Sequence, residues 1–369
     1  MYFSIAVILI FKIFILGQSV AATFINKTVP ADLEDCASKA EYKDKDGQEI
    51  HAAAKNGNME IIELLLSQGF EVDSRDKKGI TPLMFTALNG HEGAFQLLIQ
   101  NGADPSLKDN DGFSLLHSAA QGGNTSIINK LLSLGLDVDS RKNGGVTPLM
   151  TAANCDKQNA FEMLIQKGAD PSLKDNKGSS LLHWAAKGGN TSIINKLLSR
   201  GLDVDSRSND GVTPLMAAAF FDKQIAFEML IENGADPSSK FNTGSSMLHW
   251  AAEVGNTSII IKLLSLGLDV DSRNNAGVTP LMAAAFCDKQ IAFEMLIQND
   301  ADPSLKDNKG LSLLHFAAKG GNKSIINKLL SLGVDIHLKD VYGVTPLAIA
   351  IESNNSDAVK LLISKGALK

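Results

Sequence analysis

Ser180 to Asp205 reads SLLHWAAKGGNTSIINKLLSRGLDVD, and the stretch returns from Ser246 as SMLHWAAEVGNTSIIIKLLSLGLDVD. Variants of it begin at Ser114 and Ser312. Between these copies runs a second version, TPLMAAAFFDKQIAFEMLIENGADP from Thr213, with relatives at Thr81, Thr147, Thr279 and Thr345. The nine anchors, from Thr81 to Thr345, follow one another at a constant spacing of 33 residues. Residues 176–208 match residues 242–274 at 26 of 33 positions, yet match the adjacent residues 209–241 at only 9. The building block is therefore a pair of unlike units, a Ser unit and a Thr unit, repeated every 66 residues. A surface feature carried by one unit should recur in every second unit.

Each unit spells two helices and a turn. In the Thr unit, Thr213 is suited to cap a helix whose first residue is Pro214, where a missing N–H costs nothing. Leu215, Ala218 and Ala219 give that helix a slim apolar face, so neighbouring units can approach closely. In the Ser unit Ser180 takes the capping place, Leu181, Leu182, Ala185 and Ala186 pack, and Gly188-Gly189 ends the helix. Asn190 then caps a second helix, in which Ile193, Ile194, Leu197 and Leu198 form one apolar face at helical spacing. Gly201 stops it, as a left-handed residue after a helix commonly does. The run from Leu202 to Arg207, with Asn209-Asp210-Gly211 beyond, predicts a projecting turn.

The period, the Thr-Pro-Leu opening of the Thr units and the histidines of the Ser units (His117, His183, His249, His315) resemble the ankyrin-repeat family. Its T-P-L-H-x-A signature is here divided between two unit types. The resemblance covers Gln48 to Lys369: nine units in phase, preceded by a degenerate one, Gln48-Glu49-Ile50-His51-Ala52-Ala53-Ala54. It implies an all-α ankyrin-repeat solenoid of helix-turn-helix units with short finger turns. Ala348, Ile349, Ile351 and the polar run from Glu352 to Ser356 make the last unit atypical, as a terminal cap should be. The family also implies non-catalytic protein binding through a concave groove and the fingers. In ankyrin repeats the residue after the signature His and the variable one after the paired alanines face that groove. By position these are Phe85, Trp184, Phe220, Trp250, Phe286 and Phe316, with Ser118 as the odd one out. Finger residues such as Lys177 and Asp210 would add contacts. The competing reading is that the rings pack between inner helices and the finger residues serve their own turns.

Composition narrows the alternatives. The chain is 44% hydrophobic and 21% charged, with a formal net charge of −6. A mildly acidic chain lacks the clustered Lys and Arg that nucleic acid requires. The Ser-unit histidines lie 66 residues apart, so no two can share a metal ion, and an imidazole bonded to the turn of the next unit explains them better. There is no H-E-x-x-H, G-x-S-x-G, P-loop or C-x-x-C pattern, so no enzyme, cofactor, metal or small-molecule substrate is expected. The expected partner is another protein, and the array itself a monomer. Cys155 and Cys287 occupy one slot four units apart, beyond the Cα separation of about 7 Å that a disulfide allows.

Residues 1–22, MYFSIAVILIFKIFILGQSVAA, are apolar except for Lys12 and a few small polar residues, and end in small residues. They read as a cleaved signal peptide, or as a signal-anchor helix, followed by a polar lead-in over 23–47 and the array over 48–369. A secreted binding protein is the reading adopted; an intracellular ankyrin scaffold or inhibitor and a membrane-anchored adaptor are the alternatives. Six N-x-S/T sequons, at Asn26, Asn124, Asn190, Asn256, Asn322 and Asn354, are candidate glycosylation sites. Four of them are copies of one helix cap, so duplication of a capping signal also accounts for them.

Overall fold

The computed structural model describes residues 49–368. The leader, the lead-in with Asn26 and Cys36, and Lys369 lie outside the described residues. Within them the chain forms twenty α-helices in ten successive pairs and no strands. The only β-pairing among the described residues is a set of isolated bridges, such as Lys108 with Ser114 and Lys306 with Ser312, each between a finger and the cap residue of the inner helix that follows. The chain divides into two compact bodies, one carrying the described residues up to Ala235 and the other those from Asp236.

The expected local signals are in place. Thr147 Oγ1 accepts the Met150 N–H at 3.3 Å, and Thr213 Oγ1 accepts that of Met216 at 3.4 Å. Proline follows as the first helical residue in both. Inner helices such as Pro214–Phe220 and Leu181–Gly188 are short, at seven and eight residues. Their alanines, Ala152, Ala153, Ala185, Ala186 and Ala218, have no solvent exposure. Close approach is also why Gly188 lacks a side chain: a Cβ there would lie 2.5 Å from the Ala153 carbonyl of the preceding unit.

The outer helices supply bulk. Ile193, Ile194 and Leu197 of helix Thr191–Ser199 are buried, while Leu198 is half-buried at the edge of the face. In the Thr units Phe161, Phe227 and Phe293 are among the largest side chains sealed from solvent. Each such ring or aliphatic side chain contributes roughly 1.5–3 kcal/mol on burial. Gly201 adopts φ 81° after its helix, the left-handed stop its place demands. Sequence patterning misses one feature of the Thr units. Where the Ser units turn on a left-handed glycine, Asp156, Asp222 and Asp288 adopt φ 55°, 52° and 57°, and Asn354 does so at 55°.

Candidate functional site

The histidines resolve first. His183 Nε2 lies 2.9 Å from the Val212 carbonyl at the base of the next finger, which can only accept, so Nε2 carries the proton. Nδ1 is then an acceptor, and it takes the Ser180 N–H at 3.1 Å and the Ser180 hydroxyl at 2.8 Å. His117 repeats this with Val146 and Ser114, His249 with Val278 and Ser246, and His315 with Val344 and Ser312. Burial outweighs the carbonyl bond and lowers the pKa of His117, His183 and His249 to about 4. These rings are neutral joints between units. Among the described residues no group of three or more His, Cys, Asp or Glu side chains is placed to hold a metal ion.

The fingers are braced to one another. Asn110 N–H donates to the Lys78 carbonyl at 2.9 Å, and its Nδ2 to the Lys77 carbonyl at 3.1 Å. Asn143 does the same to Asp111 and Asn110, and Asn209 to Lys177 and Asn176. In the second body Asn275 and Asn308 continue the pattern onto Thr243, Asn242, Ala276 and Asn275. Arg75, Arg141 and Arg273 add a guanidinium bond to the carbonyl of Lys108, Lys174 and Lys306, one unit on in each case. Lys177 and Asp210 stand exposed on this braced strip.

The aromatic residues divide. Trp184, Phe220, Trp250 and Phe286 are half-buried, with part of each ring at the surface of its body. Phe85 and Phe316 are not part of an exposed series: they are only 9% and 6% exposed. Phe85 packs edge-on to His51 of the preceding unit, ring centroids 6.1 Å apart, so it belongs to the inter-unit core. Ser118 is likewise buried.

Around Trp184 the structure assembles a cluster that sequence reasoning names only in part. The Lys187 ammonium sits 4.6 Å from the Trp184 ring centroid and 4.9 Å from that of Phe221, a cation held by two rings. Phe221, like Lys187, is half-buried. Below them Asp175 is buried and accepts the N–H groups of Lys177 at 2.9 Å and Ser179 at 2.8 Å. Burial raises its pKa; the backbone bonds oppose this, and the nearby Trp184 N–H pulls the same way without reaching hydrogen-bond geometry. The helical spacing of Lys187 from Trp184 was the signal available in sequence; Phe221, from the next unit, had none.

A model of three consecutive ankyrin repeats matches residues 29–109, 50–142, 94–175, 149–241, 226–307 and 287–369. The chain belongs to the ankyrin-repeat family. The match reaches back to residue 29, ahead of the degenerate unit that opens at Gln48. No curated protein matches the chain. As an ankyrin-repeat protein it is a protein-interaction module, from a family that generally serves as non-catalytic scaffolds. No helix among the described residues is long and apolar enough to cross a membrane.

Of the sequons, Asn124, Asn190, Asn256 and Asn322 occupy the N-cap of an outer helix, and Asn354 lies exposed in the turn of the last unit.

Proposed function

We propose that this ankyrin-repeat protein is secreted and grips a protein partner through the groove face of its inner helices and the adjoining fingers. The cluster of Trp184, Lys187 and Phe221 carries this reading. Aromatic side chains and cations partly open to solvent on otherwise alanine-rich helices are the residue types that dominate binding energy at interfaces. Phe220 lies beside this cluster in sequence, and the braced fingers hold Lys177 and Asp210 in fixed positions, which lowers the ordering cost of binding. In the second body Trp250 and Phe286 supply the same kind of surface. Secretion rests on the apolar leader ending in Ser19-Val20-Ala21-Ala22.

The test places a photo-crosslinking amino acid at Phe220 or, as control, at Ile225, which is 72% exposed on an outer helix. Crosslinking to one protein from 220 and not from 225 supports the groove; the reverse pattern overturns it. With that protein in hand, Trp184→Ala should weaken affinity about thirtyfold, the loss of roughly 2 kcal/mol typical of a hot spot. Phe85→Ala, by contrast, should spare affinity and cost about 3 kcal/mol of stability, as for a buried ring.

A further inference from the structure

We infer that Asn354 is the N-glycosylation site of the folded array, and that the four sequons in the Ser units are closed to a glycan. The inference rests on the secretory reading above. An N-linked glycan is joined to the side-chain nitrogen, so a folded acceptor must leave room at Nδ2. The duplicated sequons do not. In each Ser unit the Asn stands ten residues after its Ser anchor and caps the outer helix. Asn190 Oδ1 accepts the Ile193 N–H at 2.9 Å, Asn256 that of Ile259 at 3.1 Å, and Asn322 that of Ile325 at 3.0 Å. Asn190 and Asn322 are 5% and 4% exposed, and the Asn322 Nδ2 atom is sealed from solvent. Asn124 turns its Nδ2 into the preceding unit, donating to the carbonyls of Ala87 and Leu88. A sugar on Asn124, Asn190 or Asn322 would have to displace the amide from the junction between units, and at the half-buried Asn256 it would have to grow from a side chain already holding the same helix cap.

The last unit shifts the motif by one residue. Asn354 stands nine residues after Thr345, at the place held by Asp156, Asp222 and Asp288 in the other Thr units. All four side chains are exposed, and all four backbones are left-handed, a conformation Asn and Asp tolerate. Only the Asn354 backbone is engaged, its N–H bonding the Ile351 carbonyl at 3.0 Å. The buried task passes to Asn355, whose Nδ2 donates to the carbonyls of Lys319 and Ala318. Displacement by one position thus moves the acceptor nitrogen from a unit junction to solvent, and Ser356 completes the sequon.

The experiment expresses the full chain in secretory eukaryotic cells, once with its own leader and once with a heterologous signal peptide, both carrying Asn26→Gln. Folded secreted protein is deglycosylated enzymatically, and the Asn-to-Asp conversions are located by peptide mass spectrometry. Occupancy is expected at Asn354, and Asn354→Gln or Ser356→Ala should each abolish the gel shift. Glycan persisting in either variant, or an unoccupied Asn354 in secreted protein, overturns the assignment. Export only with the heterologous peptide would refute the secretory reading, while the assignment of Asn354 would stand or fall on the occupancy found.

Discussion

Ser units and Thr units enter their inner helices by different physics. In a Ser unit the helix start is held by His183, which bonds Ser180 behind it and the Val212 carbonyl of the next finger ahead. In a Thr unit Met216 sits in the same place with no exposure, and the start is set locally by the Thr213 cap and Pro214. Two kinds of junction result. Ser-to-Thr junctions are joined by a buried imidazole that must stay neutral. Thr-to-Ser junctions are joined by apolar contact and by the glycine-permitted approach of Gly188 to the Ala153 carbonyl. Alternation therefore places a buried, proton-sensitive imidazole at every second interface.

The largest effect should appear in acid. A histidine whose folded pKa is about 4, against 6.5 for the free side chain, contributes stability that is fully present above pH 6.5 and lost as pH falls toward 4. Each of the three is worth about 3 kcal/mol over that window. Denaturant melts at pH 7 and pH 4 should differ accordingly. Replacing Ser180, Leu181 and His183 by Thr, Pro and Met should remove about 3 kcal/mol of the difference, the share of one histidine, leaving that of His117, His249 and His315, the last of which burial also shifts downward. An unchanged acid loss in that variant would break the comparison. Next, His183→Ala and Met216→Ala should each cost about 3 kcal/mol at pH 7, the first through orphaned polar groups and the second through a cavity. At pH 4 the first cost should shrink and the second persist. Thr213→Ala should cost about 1 kcal/mol, the value of a helix cap, with no pH dependence. Smallest, Asp222→Gly should raise stability by about 0.5 kcal/mol, since φ 52° suits glycine better than aspartate. A loss of stability there would show that the aspartate side chain holds its turn.

Much of this was legible because a repeat reports each rule several times. The 33-residue spacing, the Thr and Asn caps, Pro214 at the helix start and the histidine bond to the next unit all follow from one unit's residues and its neighbour's register. What stayed hidden depends on depth or on partners in other units. Phe85 and Trp184 hold equivalent positions, yet the first is enclosed and the second half-open. Spacing gives direction along a helix, not how far the neighbour covers it. Lys187 between Trp184 and Phe221 joins residues of two units, and a chain read one unit at a time does not pair them. The sequons mislead for a related reason: the motif that permits a glycan is also a good helix cap, and only burial separates the two uses.

The finger asparagines have a genetic consequence. Each rung joins an asparagine to the backbone of its predecessor through the same atoms, whether the rung runs from Lys77 to Asn110 or from Asn242 to Asn275. Cutting out residues 110–175 would bring Asp109 against Asn176 in register and set a Ser unit after a Thr unit, as at every such junction already present. Unequal recombination between copies of the gene can therefore lengthen or shorten the array in steps of one pair without inventing an interface. Copy number, rather than point substitution, is the cheapest route by which this protein changes the length of the surface it presents.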